Sequence, residues 1–301
     1  MSNETLNTDD VAVIIPTLNE GACIAAVVDS FRRLVRNVYV IDGGSQDGTA
    51  DKAAAAGATV IHQRGRGKGA AVRQALREID AEIYVLVDGD STYSASDLPL
   101  LLEPIISGTA DMVVGIRDHR SVPAFNKLGN SFFNIFISMA YRRRLRDILS
   151  GYRAFTRQLA RSIRLTRDWF ETETEMTVET LEKGLRIEEV PIKYGERIGR
   201  TKLRPLHDGW RIGITMLSMI RDYRPLTVFM SLAVIFMLAG LIGGGLVLDA
   251  WLKTGKFVHI GTGLLSALSM LFGIQFFSIG MLADMMARRM QRIEEQLGED
   301  A

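Results

Sequence analysis

A single cysteine, Cys23, and four histidines are all the thiol and imidazole this 301-residue chain carries. A lone cysteine excludes an intramolecular disulfide and any zinc site built from several thiolates. The histidines stand far apart, at 62, 119, 207 and 259, with no H-x-x-x-H pair, which argues against a histidine-built metal site. An excess of charge is also missing. Lys plus Arg (36) nearly equals Asp plus Glu (35), so no global charge favours a nucleic-acid partner. The first ten residues lack a basic n-region and an apolar h-region, and 1–10 reads as a disordered start and not a signal peptide.

What the chain does have, near its C-terminus, is apolar length. Residues 226–248 contain no charged side chain, and about 20 apolar residues suffice to cross a bilayer as a helix. A second run, 257–283, is interrupted only by His259 and Gln275. With the polar link 249–256 between them, 226–284 is expected to form a transmembrane hairpin, followed by a tail at 285–301. Arg211, Arg221 and Arg224 precede the first run and Arg288, Arg289 and Arg292 follow the second, whereas the link offers only Lys253 and Lys256. Cations favour the cytoplasmic side, so both ends, and all of 1–225, are expected in the cytoplasm. Gly240, Gly243, Gly244 and Gly245, with Gly261, Gly263 and Gly273, permit close helix approach, either between the spans or between subunits of a homo-oligomer.

The region before the hairpin alternates apolar runs with amphipathic helices. Runs at 11–15, 38–41, 59–61, 83–87 and 112–115 suit strands buried on both faces. Helices are expected at 20–34, where Ile24, Val27, Val28, Phe31 and Leu34 share a face, at 49–56 and at 68–79. This alternation predicts an α/β fold, a Rossmann-like and mostly parallel sheet covered by helices, over residues 11–203. In such sheets ligands bind at the carboxyl ends of strands.

Three polar segments stand at those ends: Pro16-Thr-Leu-Asn-Glu20, Asp42-Gly-Gly-Ser-Gln-Asp-Gly-Thr49 and Asp88-Gly-Asp90. Glycine and aspartate make turns for their own sake, but three such segments at successive strand ends form a constellation. Asp88 and Asp90 supply hard oxygen ligands suited to Mg2+ or Mn2+ shared with substrate phosphates. Asp42 can accept hydrogen bonds from a nucleobase or ribose. The basic, glycine-rich Arg64-Gly-Arg-Gly-Lys-Gly-Ala70 opens a helix, where backbone donors and Lys68 suit an anionic diphosphate. No Ser or Thr follows Gly67-Lys68, so this is not a Walker A loop.

Together with Ser150-Gly-Tyr-Arg153 and Arg197-Ile-Gly-Arg-Thr-Lys202, these segments resemble the family 2 glycosyltransferases of GT-A fold. Within them, the chain is similar to the dolichyl-phosphate mannose synthase group and its polyprenyl-phosphate relatives. The resemblance implies that Pro16, Thr17, Glu20, Asp42, Gly43, Gly44, Lys68, Asp88, Gly89 and Asp90 bind the donor nucleotide-sugar. It implies that Asp88 and Asp90 carry the metal, Mg2+ or Mn2+, and that Asp147 and Arg153 join them at the reaction centre. It gives Arg117, Lys127, Ser131, Arg197, Arg200 and Lys202 to the acceptor phosphate. Two departures, Asp88-Gly-Asp90 followed by Ser91-Thr-Tyr93 and Asp42-Gly-Gly44 in the second motif, sit beside the donor. The first of them favours a UDP-hexose over GDP-mannose, on resemblance alone.

A lipid acceptor is the reading of two further helices. Residues 123–144 pair an apolar run with Tyr141-Arg-Arg-Arg144, and 204–225 places Leu206, Trp210, Ile214 and Leu217 at helical spacing. Such helices lie in a membrane interface. The expected reaction is inverting transfer of a hexose to a polyprenyl or dolichyl phosphate at the cytoplasmic membrane face. Asp147 would orient an arginine or act as a base. The row Glu171, Glu173, Glu175 is open between a solvated edge and contact with sugar hydroxyls. A processive polysaccharide synthase is disfavoured by the missing Gln-x-x-Arg-Trp motif. The alternative from another class is a non-catalytic membrane scaffold or lipid-translocation partner, against which the retained Asp88 and Asp90 argue.

Overall fold

The computed structural model describes residues 8–117, 131, 134–135, 137–139, 141–169, 171–195, 214, 218, 225–256 and 259–299. The chain divides into two units, Met1–Met216 and Leu217–Ala301.

In the first unit the elements run β1 (Val11–Thr17), α1 (Ile24–Arg32), β2 (Asn37–Asp42), α2 (Thr49–Ala55), β3 (Thr59–His62), α3 (Lys68–Glu78), β4 (Ile83–Leu86), α4 (Leu98–Ile106) and β5 (Met112–Arg117). After the segment around 131–141 come β6 (Arg153–Thr156), α5 (Arg157–Ser162), α6 (Thr172–Glu182) and β7 (Ile187–Ile192). One seven-stranded sheet has the order β3-β2-β1-β4-β6-β5-β7. Only β6 is antiparallel to its neighbours, β4 and β5. The expected α/β sheet is therefore present, and mostly parallel.

The period of two in a strand explains how β1 serves two cores at once. Val11, Val13 and Ile15 enter one apolar layer with Val27, Phe31 and Leu101. Ala12 and Ile14 enter the other with Val72, Ala75, Phe155 and Met176. Complete burial of one such side chain stabilises by about 1.5–3 kcal/mol, so the sheet is fixed from both sides. β4 inserts a tyrosine into this apolar setting without penalty: the Tyr84 hydroxyl donates to Ile79 O (3.0 Å) and accepts from Ala81 N (3.2 Å).

Several sequence expectations need correction. Leu34, assigned to the apolar face of the first helix, is exposed, because α1 stops at Arg32 and the chain turns away. Within the segment 1–10 expected to be disordered, Thr8–Asp10 form a short 3-10 turn into β1, and 1–7 lie outside the described residues. The strands β6 and β7 and the helices α4, α5 and α6 were not among the expected elements.

Of the expected interface helix 123–144, the described residues 131, 134–135, 137–139 and 141 are helical, whereas the arginines 142–144 lie beyond its end. They have two faces. Ile137 is buried, Asn134 Oδ1 accepts from Ile148 N (3.0 Å), and Ser138 Oγ accepts from Leu145 N (2.9 Å). Ile135 and Met139, one turn apart, are exposed. The expected helix over 204–225 lies outside the described residues apart from the helical Ile214 and Ser218 and from Pro225, which opens the next helix.

The second unit contains α7 (Pro225–Thr254) and α8 (Ile260–Glu299), both long and apolar enough to cross a membrane. Glycine lets them close on each other. A Cβ at Gly240 would lie 2.5 Å from Met270 Cγ and 2.9 Å from Ser266 O, and one at Gly273 would lie 2.5 Å from Met237 Cγ. Phe236 packs on Phe272 and Phe276, with ring centres 5.9 and 5.4 Å away. Gly244, Gly245 and Gly261 face open space, so Gly240 and Gly273 pack inside the hairpin and these three do not.

Candidate active site

Parallel register brings Thr17, the last residue of β1, beside Asp42, the last of β2. The two loops that follow are tied together by their own polar groups. Asn19 N donates to Ser45 Oγ (2.8 Å), Gln46 N to Asn19 Oδ1 (2.9 Å), Glu20 N to Thr49 Oγ1 (3.0 Å) and Gly21 N to Asp47 Oδ2 (2.8 Å). Hydrogen bonds from Thr49 and from the backbone hold the Asp47 carboxyl below its ordinary range. Asp42 is buried, and its carboxylate accepts from Gly44 N (3.1 Å), Ser45 N (3.0 Å) and Ser45 Oγ (2.5 Å). Gly44 sits at φ +85°, which this turn demands and a side chain would resist. Asp42 thus builds the loop from within. Gly43 N donates to Thr17 O (2.8 Å), which keeps the chain after β2 tied to the end of β1.

Asp88 and Asp90 follow β4. Between them Gly89 lies so close to β1 that a Cβ would come within 2.8 Å of Thr17 Cγ2. Asp90 is buried and accepts from Thr92 N (3.2 Å) and Thr92 Oγ1 (2.5 Å) across Ser91, itself at φ +62°. Asp88 keeps 31% of its side chain exposed and is paired with Lys68. Lys68, the first residue of α3, contacts a second carboxylate, Glu173 Oε1, at 2.5 Å. Burial alone would discharge this ammonium, but the flanking charges of Asp88 and Glu173 win and raise its pKa.

The glycine-rich segment is not the open phosphate cradle expected. Gly69 N donates to Asp168 O (2.8 Å), and a Cβ at Gly67 or Gly69 would run into the carbonyl oxygens of Asp168 and Arg167. These glycines exist for close packing against the 167–168 backbone. What the segment offers the site is Lys68.

Two arginines from the other half of the sheet lie at the same edge. Arg117 ends β5, and because β6 runs antiparallel its first residue, Arg153, opposite Leu86 and Val114, comes to that edge too. Arg117 and Asp147 form a two-pronged pair, Nε to Oδ2 at 2.8 Å and Nη2 to Oδ1 at 2.7 Å. Burial opposes charge on Arg117, but Asp147 outweighs it and the pKa rises. The guanidinium also lies 5.5 Å from the ring centre of Tyr194. Asp147 is held from behind by Glu189, whose Oε1 accepts from Arg146 N (2.7 Å) and Asp147 N (3.1 Å) and whose pKa burial pushes up.

Arg153 differs from the expectation of a cation facing the diphosphate. It is 0% exposed, and it donates to Ser150 O (2.8 Å), Ile148 O (2.5 Å) and Thr177 Oγ1 (2.8 Å). Burial pulls its pKa down to about 10. Arg153 therefore shapes the 148–151 loop from beneath. That loop lies against Asp88: a Cβ at Gly151 would be 2.6 Å from Asp88 Oδ2 and 3.0 Å from Lys68 Nζ. Tyr93 OH accepts from Gly151 N (3.0 Å), which ties the loop to the Asp88–Asp90 turn. Ser131 is helical and exposed; Lys127, Arg197, Arg200 and Lys202 lie outside the described residues.

Sequence reasoning left Glu173 undecided and passed over Tyr93, Glu189 and Tyr194. For Glu173 a signal existed, since three glutamates in alternation (171, 173, 175) are costly in a buried helix unless each has a partner. Glu175 meets Thr166 N (2.8 Å), Thr166 Oγ1 (2.6 Å) and Arg167 N (3.0 Å), while Glu173 meets Lys68. The row is neither solvated nor an edge.

No group of three or more His, Cys, Asp or Glu side chains is placed to hold a metal among the described residues. Asp88 and Asp90 offer two carboxylates, a donor set too small to cage an ion. It fits Mg2+ or Mn2+ whose remaining ligands come from substrate phosphates and water.

Glycosyltransferase AglJ of Haloferax volcanii is 38% identical over 95% of this chain and 98% of its own length. A dolichyl-phosphate hexose transferase of the same organism is 34% identical over 72% and 96%. An undecaprenyl-phosphate mannosyltransferase of Micrococcus luteus is 32% identical over 64% and 87%. Among solved structures, glucosyl-3-phosphoglycerate synthase from Mycobacterium tuberculosis, crystallised with Mn2+, UDP-glucose and phosphoglyceric acid, is 25% identical with a TM-score of 0.60, covering 70% of this chain and 79% of that one. Residues 12–164 match the glycosyl transferase family 2 profile, and the chain belongs to that family.

Proposed function

We propose that the chain transfers a hexose from a nucleotide-diphosphate sugar to a polyprenyl or dolichyl phosphate at the cytoplasmic face of a membrane. The observation that carries the reading is the convergence, at one sheet edge, of Asp88, Asp90 and Lys68 with the Asp147-braced Arg117. The acceptor class comes from relatives named for dolichyl-phosphate and undecaprenyl-phosphate transfer, and a UDP-linked donor accords with the synthase bound to Mn2+ and UDP-glucose. The hairpin α7–α8 supports a membrane location, and the flanking arginines support the cytoplasmic side.

In this reading the crevice of Pro16, Thr17, Glu20, Asp42, Gly43 and Gly44 takes the nucleoside, and Asp88, Gly89, Asp90 and Lys68 meet its diphosphate. Bound Mg2+ or Mn2+ supplies Lewis-acid stabilisation of the departing diphosphate. Arg117, with Lys127, Ser131, Arg197, Arg200 and Lys202, holds the acceptor phosphate, whose second pKa near 6 leaves it largely dianionic at neutral pH. A dianion needs no general base, so Asp147 spends both oxygens orienting Arg117. Arg153 positions the 148–151 loop against Asp88. Attack from the face opposite the diphosphate inverts the anomeric carbon.

The test is a thermal-shift screen of the purified chain with UDP- and GDP-sugars and Mn2+, followed by transfer assays with the sugar that stabilises most. Stabilisation by one nucleotide class and formation of a lipid-linked hexose support the reading; stabilisation by none contradicts it.

A further inference from the structure

Glu173 is 3% exposed; its Oε1 lies 2.5 Å from Lys68 Nζ, and its Oε2 is buried without a hydrogen-bond partner. Leaving a buried carboxylate oxygen unsatisfied is costly, although the Glu173 charge also supports the buried Arg153 guanidinium against desolvation. Thr177, one turn on, donates to Glu173 O (3.0 Å) and accepts from Arg153, which carries the loop lying over Asp88 and Lys68. One ammonium is therefore shared by two carboxylates, Asp88 facing the diphosphate side and Glu173 facing the interior.

We propose that Glu173 is a positioning residue that makes Lys68 a resident counter-cation, one that yields Asp88 to a metal–diphosphate complex but not to a bare divalent ion. The inference rests on the reading of Asp88 and Asp90 as the carboxylates for a metal and diphosphate. Charge explains the selectivity. A bare divalent ion finds Asp88 already neutralised and is repelled by an ammonium within a few ångströms, in a setting where water screens little. A diphosphate brings negative oxygens that offset this repulsion. The unbonded Glu173 Oε2 then completes the argument, because the ammonium can move wholly onto Glu173 and remain doubly paired when Asp88 is claimed. Metal and nucleotide are thereby made to enter together.

The test measures Mn2+ binding to the detergent-solubilised full chain by the paramagnetic resonance of free Mn2+, without nucleotide and with UDP or GDP. The wild type is expected to bind bare Mn2+ weakly and Mn2+ with nucleotide much more tightly. Lys68→Met should bind bare Mn2+ roughly tenfold more tightly and Mn2+ with nucleotide more weakly. A gain in metal affinity cannot come from misfolding. Glu173→Gln should weaken bare Mn2+ binding several-fold, since Lys68 then belongs to Asp88 alone, and Glu173→Asp should restore part of it. If both Lys68→Met and Glu173→Gln bind bare Mn2+ as the wild type does, while nucleotide-dependent binding persists, this inference fails alone. If the wild type takes up no Mn2+ even with UDP or GDP, the metal reading fails and carries this inference with it.

Discussion

The two halves of the sheet solve the same problem, placing charge at a strand end, by different means. On the β3-β2-β1-β4 side, two buried carboxylates are organised by residues next to them in sequence: Asp42 by Gly44 and Ser45, Asp90 by Thr92. On the β6-β5-β7 side, charge is held largely by partners distant along the chain: Arg117 by Asp147, Asp147 by Glu189, and Arg153 by Thr177 together with the nearby Ile148 and Ser150 carbonyls. Local turns give a site that forms as soon as the strands pair. Long-range ion pairs give a site that exists only when the whole unit is folded. Lys68 joins the two, because one carboxylate partner comes from each half.

This contrast is breakable, most severely at Arg153. Arg153→Leu removes a buried cation and orphans the carbonyls of Ile148 and Ser150. The expected loss is about 3–5 kcal/mol, visible as a drop in the denaturant midpoint; a loss below 1 kcal/mol would show that the 148–151 loop does not depend on it. Gly151→Ala should leave stability nearly unchanged but lower transfer about tenfold, since its Cβ would displace Asp88 and Lys68. Comparing kcat/KM with the melting temperature separates the two effects.

Asp47→Asn should have a smaller effect than either, and a pH-dependent one. The folded-state pKa of Asp47 is lowered from its ordinary 3.8, so its contribution is present above that value and is lost as pH falls through the lower, folded value. Melting curves of variant and wild type should differ at pH 7 and converge in acid. Glu189 carries the opposite sign. Burial raises its pKa above 4.5, so the ionised form is disfavoured in the fold and its contribution is lost as pH rises through the raised value. Glu189→Gln should accordingly cost less at pH 7 than Asp47→Asn, and become relatively worse below pH 4.5.

The same contrast governs how much could be read from sequence. The five strands β1–β5 announce themselves as apolar runs ended by turns, and with them Asp42, Asp88 and Asp90 fall at strand ends. Strand β6 is only Arg-Ala-Phe-Thr and opens on a fully buried arginine, which composition would place on a surface. Strand β7 contains Glu188, Glu189 and Pro191, and its half-exposed pattern gives no clear alternation. Helix α4 carries Pro104 in its interior, where proline normally signals a break. The role of Glu173 stayed open in the sequence because its counter-charge, Lys68, lies in a different βα unit. Local chemistry is legible in a single sequence; charge compensated across the fold is not.

The central claim, that the Asp88–Asp90 turn drives transfer of a hexose to a lipid phosphate, is tested most directly by one assay. Purified wild type and Asp88→Ala are each given a radiolabelled nucleotide-sugar, polyprenyl phosphate and Mn2+, and the lipid-extractable label is counted. The account predicts label in lipid with wild type and a reduction of at least about a hundredfold in the variant. Equal label in both would contradict it.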